Sequence, residues 1–302
     1  MVRDDREAAL RVSARRLEQA QGVLVRRYRV LRLGFDSRPW MLGEKILDSW
    51  DPRVKEQWRA NQQHIREALL DEYGPFQAEL KARNFVDFGR IPFSVFAFHN
   101  RFVAQIQRSF VVGAYYPALT GACALGERIL NHLVILLRGD YRGTPQYKRV
   151  YSKASVDNWD LAIDTLQAWQ VLLPESIAAF RELRSIRARA IHFRPEVDTT
   201  DRSMALDAGR CLLRIVEEQF GPGGGKPWII ANTPGKMFIT KEGEALPFVK
   251  RVYLPNCRLV GPKHRLKFEG DILIVQDDHE YEDREVSDDE FRELRKAATG
   301  AG

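Results

Sequence analysis

Between residues 92 and 220, apolar side chains return at steps of three and four, and only short Pro, Gly and Ser/Thr/Asp signals break the segments that carry them. That period puts the apolar atoms on one face of an α-helix, and such helices are stable when they pack on one another. Five helices are expected: Phe93 to Val112, Ala118 to Arg138, a third capped by Ser155 or Asp157 and reaching Trp169, a fourth from Pro174 to Phe193, and a fifth from Thr200 or Asp201 to the Gly221-Pro222 stop. On the second, Leu119, Ala122, Cys123, Gly126, Ile129, Leu130, Leu133 and Leu137 form a wide apolar face whose small residues allow close approach of a neighbour. The run from Phe110 to Gly126 carries no charge, but Gly113, Pro117 and Gly121 interrupt it and Glu127 and Arg128 follow at once, so it reads as core and not as a membrane span.

The flanks read differently. Residues 1 to 32 are expected as one long helix, with Leu10, Leu17, Val23, Leu24 and Val30 among many arginines, packing as a charged helix along one edge. Gly34 to Pro39 breaks it, Trp40 to Trp50 is turn-rich, and Asp51-Pro52 starts a helix that runs to about Tyr73. His64 on that helix has polar neighbours and reads as a surface residue. At 221 to 227 the sequence GPGGGKP has the composition of a linker, and no Ser or Thr follows its lysine as a phosphate-cradling loop would need. Beyond it come short β-like runs at Trp228 to Ala231, Lys236 to Thr240, Phe248 to Leu254, Arg265 to Phe268 and Ile272 to Val275, and a last helix begins at Ser287. The expected fold is mainly α: an N-terminal helical region (1–91), a helical bundle (92–222) and a small β-rich module with a terminal helix (223–302). Whether the first ninety residues stand apart or add helices to the bundle is open at this level.

The 302 residues are 44% hydrophobic and 29% charged, a balance that supplies an ordinary globular core. Net charge is +6 but unevenly placed: residues 1 to 32 hold nine basic and four acidic side chains, whereas 277 to 293 hold ten acidic and two basic. A basic body favours a polyanionic partner. Cys123, Cys211 and Cys257 are odd in number and widely spaced, which fits reduced, buried thiols in a cytoplasm better than disulfides or a metal site. The charged N-terminus has no apolar signal region, no cofactor motif is evident, and the acidic run Asp277 to Asp283 lacks the glycine and spacing of a calcium loop.

The chemistry concentrates on the fourth helix. Residues 181 to 194, RELRSIRARAIHFR, place five arginines and one histidine beside the stripe Ile177, Phe180, Leu183, Ile186, Ala190 and Phe193. Arg187 and His192 form an Arg-x4-His pair. The same spacing or a close one recurs at Arg59/His64 and Arg258/His264, but only the middle pair sits on the penultimate helix of an apolar bundle. There the pattern resembles the HEPN superfamily, small helical domains many of which are metal-independent ribonucleases. The resemblance spans about residues 92 to 220. It implies Arg187 as the arginine that stabilises phosphate charge, His192 as general base or acid, no metal, and an active site built at a homodimer interface. The residue after the arginine is often polar in active members, whereas here it is Ala188.

RNA supplies its own 2'-hydroxyl nucleophile, so a base and a cation suffice for cleavage. Near the helix end the dipole favours protonated His192, and Arg189 opposes it. Five positions on an ideal helix turn through about 140°, so Arg187 and His192 flank the stripe from opposite sides. Either the last turn opens before Pro195 or a second protomer completes the site. Supporting roles fall to Glu127 and Asn131, whose carboxylate and amide share a surface of the second helix and face the arginine-rich helix where Glu127 can orient Arg187 or Arg184. A purely intrahelical network is the alternative. Residues 139 to 156, expected as a loop, carry Tyr147, Lys148 and Arg149, basic groups interleaved with rings that suit single-stranded RNA or simply a solvated connection. The function expected is a cytoplasmic, metal-independent endoribonuclease in a toxin or phage-defence setting, with RNA as substrate, a second copy and a regulatory protein as partners, and no membrane. The alternative is a non-catalytic RNA- or nucleotide-binding or protein-interaction module.

Overall fold

The computed structural model describes residues 22–190, 201–223, 225–270 and 272–300. The protein is mainly α, about 60% helical, with only small antiparallel sheets. Its described residues form two compact units, one within Gly34 to Gly221 and a discontinuous one that joins residues 22–33 with those from Pro222 onward. The division expected at 91/92 has no counterpart here, because residues 34 to 91 pack with the bundle.

The chain order is β1 (Arg27–Val30), β2 (Leu33–Asp36), α1 (Arg38–Gly43), α2 (Pro52–Tyr73), α3 (Ala78–Phe88), β3 (Ile91–Val95), α4 (His99–Val111), α5 (Tyr115–Leu137), α6 (Pro145–Val150), α7 (Trp159–Ala168), α8 (Pro174–Ala190), α9 (Asp201–Phe220), β4 (Cys257–Val260), β5 (Arg265–Glu269), β6 (Ile272–Gln276) and α10 (Asp288–Thr299). The helix starts follow local chemistry. The Asp51 carboxylate accepts from the Arg53 N–H at the head of α2, and Asn158, not Ser155 or Asp157, caps α7 by accepting from the Leu161 N–H. His64 is exposed on α2, as its polar neighbours imply.

In the helical unit α5 is the central element and packs on α4, α7, α8 and α9. Leu119, Ala122, Ile129, Leu133 and Leu137 on it are fully buried. Gly126 is the close-approach point: a Cβ there would lie 2.6 Å from Leu183 of α8 and 2.8 Å from the Trp159 ring of α7. Residues 34 to 91 add helices to this bundle, with Leu42, Ile65, Leu69 and Phe85 packing against Val111. The expected helix from Phe93 starts instead at His99. Ile91 to Val95 pairs with β2 as an extended strand, in keeping with Pro92, which pushes the preceding Ile91 out of the α region. Tyr115–Tyr141 is the one stretch among the described residues long and apolar enough to cross a membrane by composition, and 50% of its most apolar window is buried inside the protein.

Two expectations fail in the discontinuous unit. Residues 22 to 32 do not continue a helix; they form a short 3-10 turn and β1, which pairs antiparallel with β4 in the register Arg27↔Val260 to Val30↔Cys257. Tyr28 and Val30, an aromatic and a β-branched residue, suit the extended chain of β1, and the strand's partner lies some 230 residues away, beyond any local pattern. Phe248 to Leu254 is no strand but a helical turn at Val249–Tyr253. Its buried Val249, Val252 and Tyr253 follow steps of three and one, as on a helix face, which a short apolar run leaves ambiguous. The segments expected as strands near 229 and 238 reduce to isolated bridges, Ile229↔Ile239 and Arg29↔Phe238, interrupted by the left-handed Asn232, Lys236 and Met237. The β-like runs at Arg265 and Ile272 form as β5 and β6 and pair antiparallel, and Ser287 caps α10 by accepting from the Glu290 N–H. Val25, Ile230, Phe238, Val260, Val286 and Phe291 make one core cluster of this unit.

Candidate functional site

The fourth predicted helix forms as α8 from Pro174, and its stripe is buried at Ala179, Phe180, Leu183, Ile186 and Ala190. That burial fixes the rotation of the helix, and so decides where its arginines go. Arg181 and Arg184 lie along α7, with Arg181 Nη2 3.7 Å from Asp164 and Arg184 Nη2 2.6 Å from Asp160. Arg187, one step further, reaches Glu127 of α5 at 3.1 Å. Part of the arginine run is therefore a seam matched to carboxylates on neighbouring helices. Of the two guanidinium donors Glu127 was expected to choose between, it takes Arg187 and leaves Arg184 to Asp160.

Glu127 is itself held. Trp159 Nε1 donates to its Oε2 at 3.0 Å. This contact exists because Gly126, the preceding residue, lets the indole lie against α5. A glycine thus sets the depth of Trp159, the indole sets the carboxylate, and the carboxylate sets the arginine. The Glu127 and Arg187 side chains are 29% and 38% exposed, so the pair stands at the rim and is worth only about 0.2–1 kcal/mol. A phosphate oxyanion offering two acceptors competes for the guanidinium at small cost.

Arg187 stands between two hollows. On one side a groove of about 770 Å³ runs between α4 and α5, floored by Ile106, Gly121, Ala124 and Leu125 and ended by Glu127 and Arg128. On the other a cleft of about 430 Å³ lies between α7 and α8 at Asp157, Asp160, Arg184 and Ala188. Asn131 lines the groove, but its amide is spent on the Val156 backbone, donating to the carbonyl and accepting from the N–H. It clamps the 139–158 segment onto α5. Arg189 is exposed on α8. His192, the expected acid or base, lies outside the described residues, as does the turn before Pro195.

Tyr147, Lys148 and Arg149 are on α6, not in a loop. Thr144 accepts from the Tyr147 N–H and Pro145 takes the first helical position, a start signal within the sequence TPQYKRV. Lys148 and Arg149 are exposed, while Tyr147 is half-buried against Tyr151 with ring centroids 5.8 Å apart. Among the described residues no hydrogen bond or ion pair ties these three to Arg187 or Glu127.

Sequence reasoning missed Trp159 and Asp160, whose roles depend on how α7 crosses α5 and α8. It also missed Phe102. The cations of Arg101 and Arg128 sit over that ring at 5.0 and 4.9 Å, and the ring lines the groove. Beside it His132 stacks on Phe98 at 4.1 Å and 21°. Burial, with Arg128 adding to it, holds the His132 pKa below the usual histidine value. Cys123 is no nucleophile, since burial pushes its thiol up to about 12 despite the nearby Arg187. No group of three or more His, Cys, Asp and Glu able to hold a metal ion occurs among the described residues. No family model, curated protein or solved structure matches the chain.

Proposed function

We propose that this chain is a metal-independent endoribonuclease of the HEPN kind, working as a homodimer in a toxin or phage-defence setting. The observation that carries the reading is Arg187: a guanidinium fixed at the mouth of a groove by a rim carboxylate, five residues before a histidine. In this reading Arg187 stabilises the charge gathering on the scissile phosphate, and His192 moves the proton of the 2'-hydroxyl or of the leaving oxygen. Glu127 is a positioning residue. It holds the arginine rotamer and yields it to phosphate.

The test is cleavage of a mixed pool of structured and unstructured RNA in EDTA, comparing wild type with Arg187→Ala and His192→Ala at matched oligomeric state. Loss of about 100-fold or more in each variant is expected, as befits removal of a charge-stabilising donor or a general base. The wild type should leave 2',3'-cyclic phosphate ends. Cleavage that persists in His192→Ala overturns the assignment.

A second reading, a non-catalytic RNA- or nucleotide-binding module, draws on Ala188 and on the fact that Arg187 is already paired. It predicts RNA binding without cleavage in the same assay.

A further inference from the structure

The groove beside Arg187 continues along one edge of α4 and α5 into cations and rings that no role above uses. Arg101 of α4 and Arg128 of α5 are both exposed, and both stand over the Phe102 ring, at 5.0 and 4.9 Å. Neither has a carboxylate partner within 4.0 Å among the described residues, unlike Arg181, Arg184 and Arg187 on α8. Two like charges held on one ring repel each other unless something anionic lies between or beside them. Next along the edge, the exposed His132 stacks on Phe98. Below, the groove floor is flat and apolar, because Gly121 and Ala124 carry almost no side chain where α4 and α5 face each other. A Cβ on Gly121 would already approach Ile106 at 3.1 Å.

We infer that this edge is a track for single-stranded RNA. Arg101 and Arg128 hold neighbouring phosphates, the floor at Gly121 and Ala124 receives one unpaired base, and Arg187 meets the next phosphate. The chemistry selects the ligand. A hydrophobic protein segment would use the floor but leave two guanidiniums unpaired. Free phosphate would use the guanidiniums but not the floor. Only a chain with anions and flat rings in alternation uses both, and a duplex keeps its bases out of reach. The inference deepens the nuclease reading and rests on it for the placement of the scissile phosphate at Arg187.

The test is fluorescence anisotropy of the full chain with a labelled single-stranded oligoribonucleotide, with the same strand in a duplex, and at several salt concentrations. Five proteins are compared: wild type, Arg101→Ala/Arg128→Ala, Arg101→Lys/Arg128→Lys, Ala124→Leu, and Arg53→Ala/Arg59→Ala, which removes the same charge from exposed positions on α2. Circular dichroism melting confirms that each is folded. The alanine pair should bind single strands about tenfold more weakly and lower the salt slope by about 1.4, the share of two phosphates at roughly 0.7 each. The lysine pair should recover most of that slope, and the α2 pair should stay within about twofold of wild type. Ala124→Leu, which fills the floor and leaves every charge in place, should weaken binding with the slope unchanged. Equal loss in the α2 control, duplex binding as tight as single-strand binding, or no RNA binding by wild type each overturns the track. Cleavage in EDTA separates the two claims: arginine-dependent binding without cleavage refutes the nuclease and keeps the track, and cleavage with undiminished binding by the alanine pair does the reverse.

Discussion

In the helical unit Arg181, Arg184 and Arg187 pair with carboxylates while their side chains stay 57%, 50% and 38% exposed; in the discontinuous unit Arg26 and Arg27 are 4% and 0% exposed. The contrast follows from how much apolar surface each has to bury. The helical unit packs the broad faces of α4, α5, α8 and α9, so its charges lie at the rim and contribute little to stability. The other unit has fewer buried apolar side chains and takes in three arginines, Arg26 just before β1 and Arg27 and Arg29 on it. Arg26 goes to Asp277 and lies over Tyr281, Arg27 goes to Asp288 and the Val286 carbonyl, and Arg29 goes to His264 and the Gly235 carbonyl. Rim arginines keep their paired guanidiniums in reach of solvent, whereas buried ones specify where β1 sits.

The contrast breaks most visibly at Asp277, which pairs with Arg26 and also accepts from the Gly261 N–H and the Tyr281 hydroxyl. Asp277→Ala leaves Arg26 buried without its counter-charge, and a loss of roughly 3–5 kcal/mol is expected in urea unfolding. Asp164→Ala on the rim should cost under about 1 kcal/mol in the same measurement. Comparable losses in the two variants would dissolve the distinction between the units.

A sharper comparison uses one buried histidine from each. His264 is partnered: its Nδ1 donates to the Gly261 carbonyl at 2.7 Å and its Nε2 accepts from Arg29 at 2.6 Å. His99 is completely buried beside Phe98 and Phe220, and neither ring nitrogen has a hydrogen-bond partner. Burial lowers both, His264 to about 4 and His99 to about 3, with Arg295 and Arg29 adding to the first and His132 to the second. Since both stay neutral in the folded protein, the unfolded chain binds more protons below an unfolded pKa of about 6.5. Stability is therefore full above that pH, falls as pH drops toward 4 for His264 and toward 3 for His99, and is wholly lost from these groups below. At pH 7, His99→Leu should leave stability unchanged or raise it by about 1 kcal/mol, because an unsatisfied imidazole is removed, while His264→Leu should lower it by about 2 kcal/mol by orphaning Arg29. Both variants should have a flatter stability profile between pH 4 and 6.5. Effects of the same sign at pH 7 would show that the hydrogen bonds of His264 carry no net weight.

A substitution at Gly126 tests how packing sets the site. Gly126→Ala adds a methyl against Leu183 and Trp159, with a net cost of about 1–2 kcal/mol after the gain in helix propensity. Thermal melting reads that cost. By displacing Trp159 the variant should also loosen Glu127, and if the proposed nuclease activity holds, cleavage should fall further than the melting shift alone accounts for.

What was legible in the sequence was what neighbouring residues decide. Asp51-Pro52 starts α2, Pro174 starts α8, and Ser287 caps α10, each through a hydrogen bond or a fixed φ within a few positions. The facing of Glu127 and Arg187 was within reach because two amphipathic helices with opposite charges beside their stripes have few ways to pack. β1 was not, because arginines at 26, 27 and 29 read as solvated until Asp277, Asp288 and His264 are brought to them. The same holds for Trp159 and Asp160, whose partners lie on other helices.

The pairing of β1 with β4 also imposes an order in time. Arg27 emerges from a ribosome long before Val260, and at about 5–20 residues per second the wait is roughly 10–50 s. Within that interval every residue from Gly34 to Gly221 emerges in turn and becomes available to fold before Val260 arrives. The arginines of β1 spend it in water, where they cost nothing, whereas a strand with apolar side chains in their place would spend it as a site for misassociation.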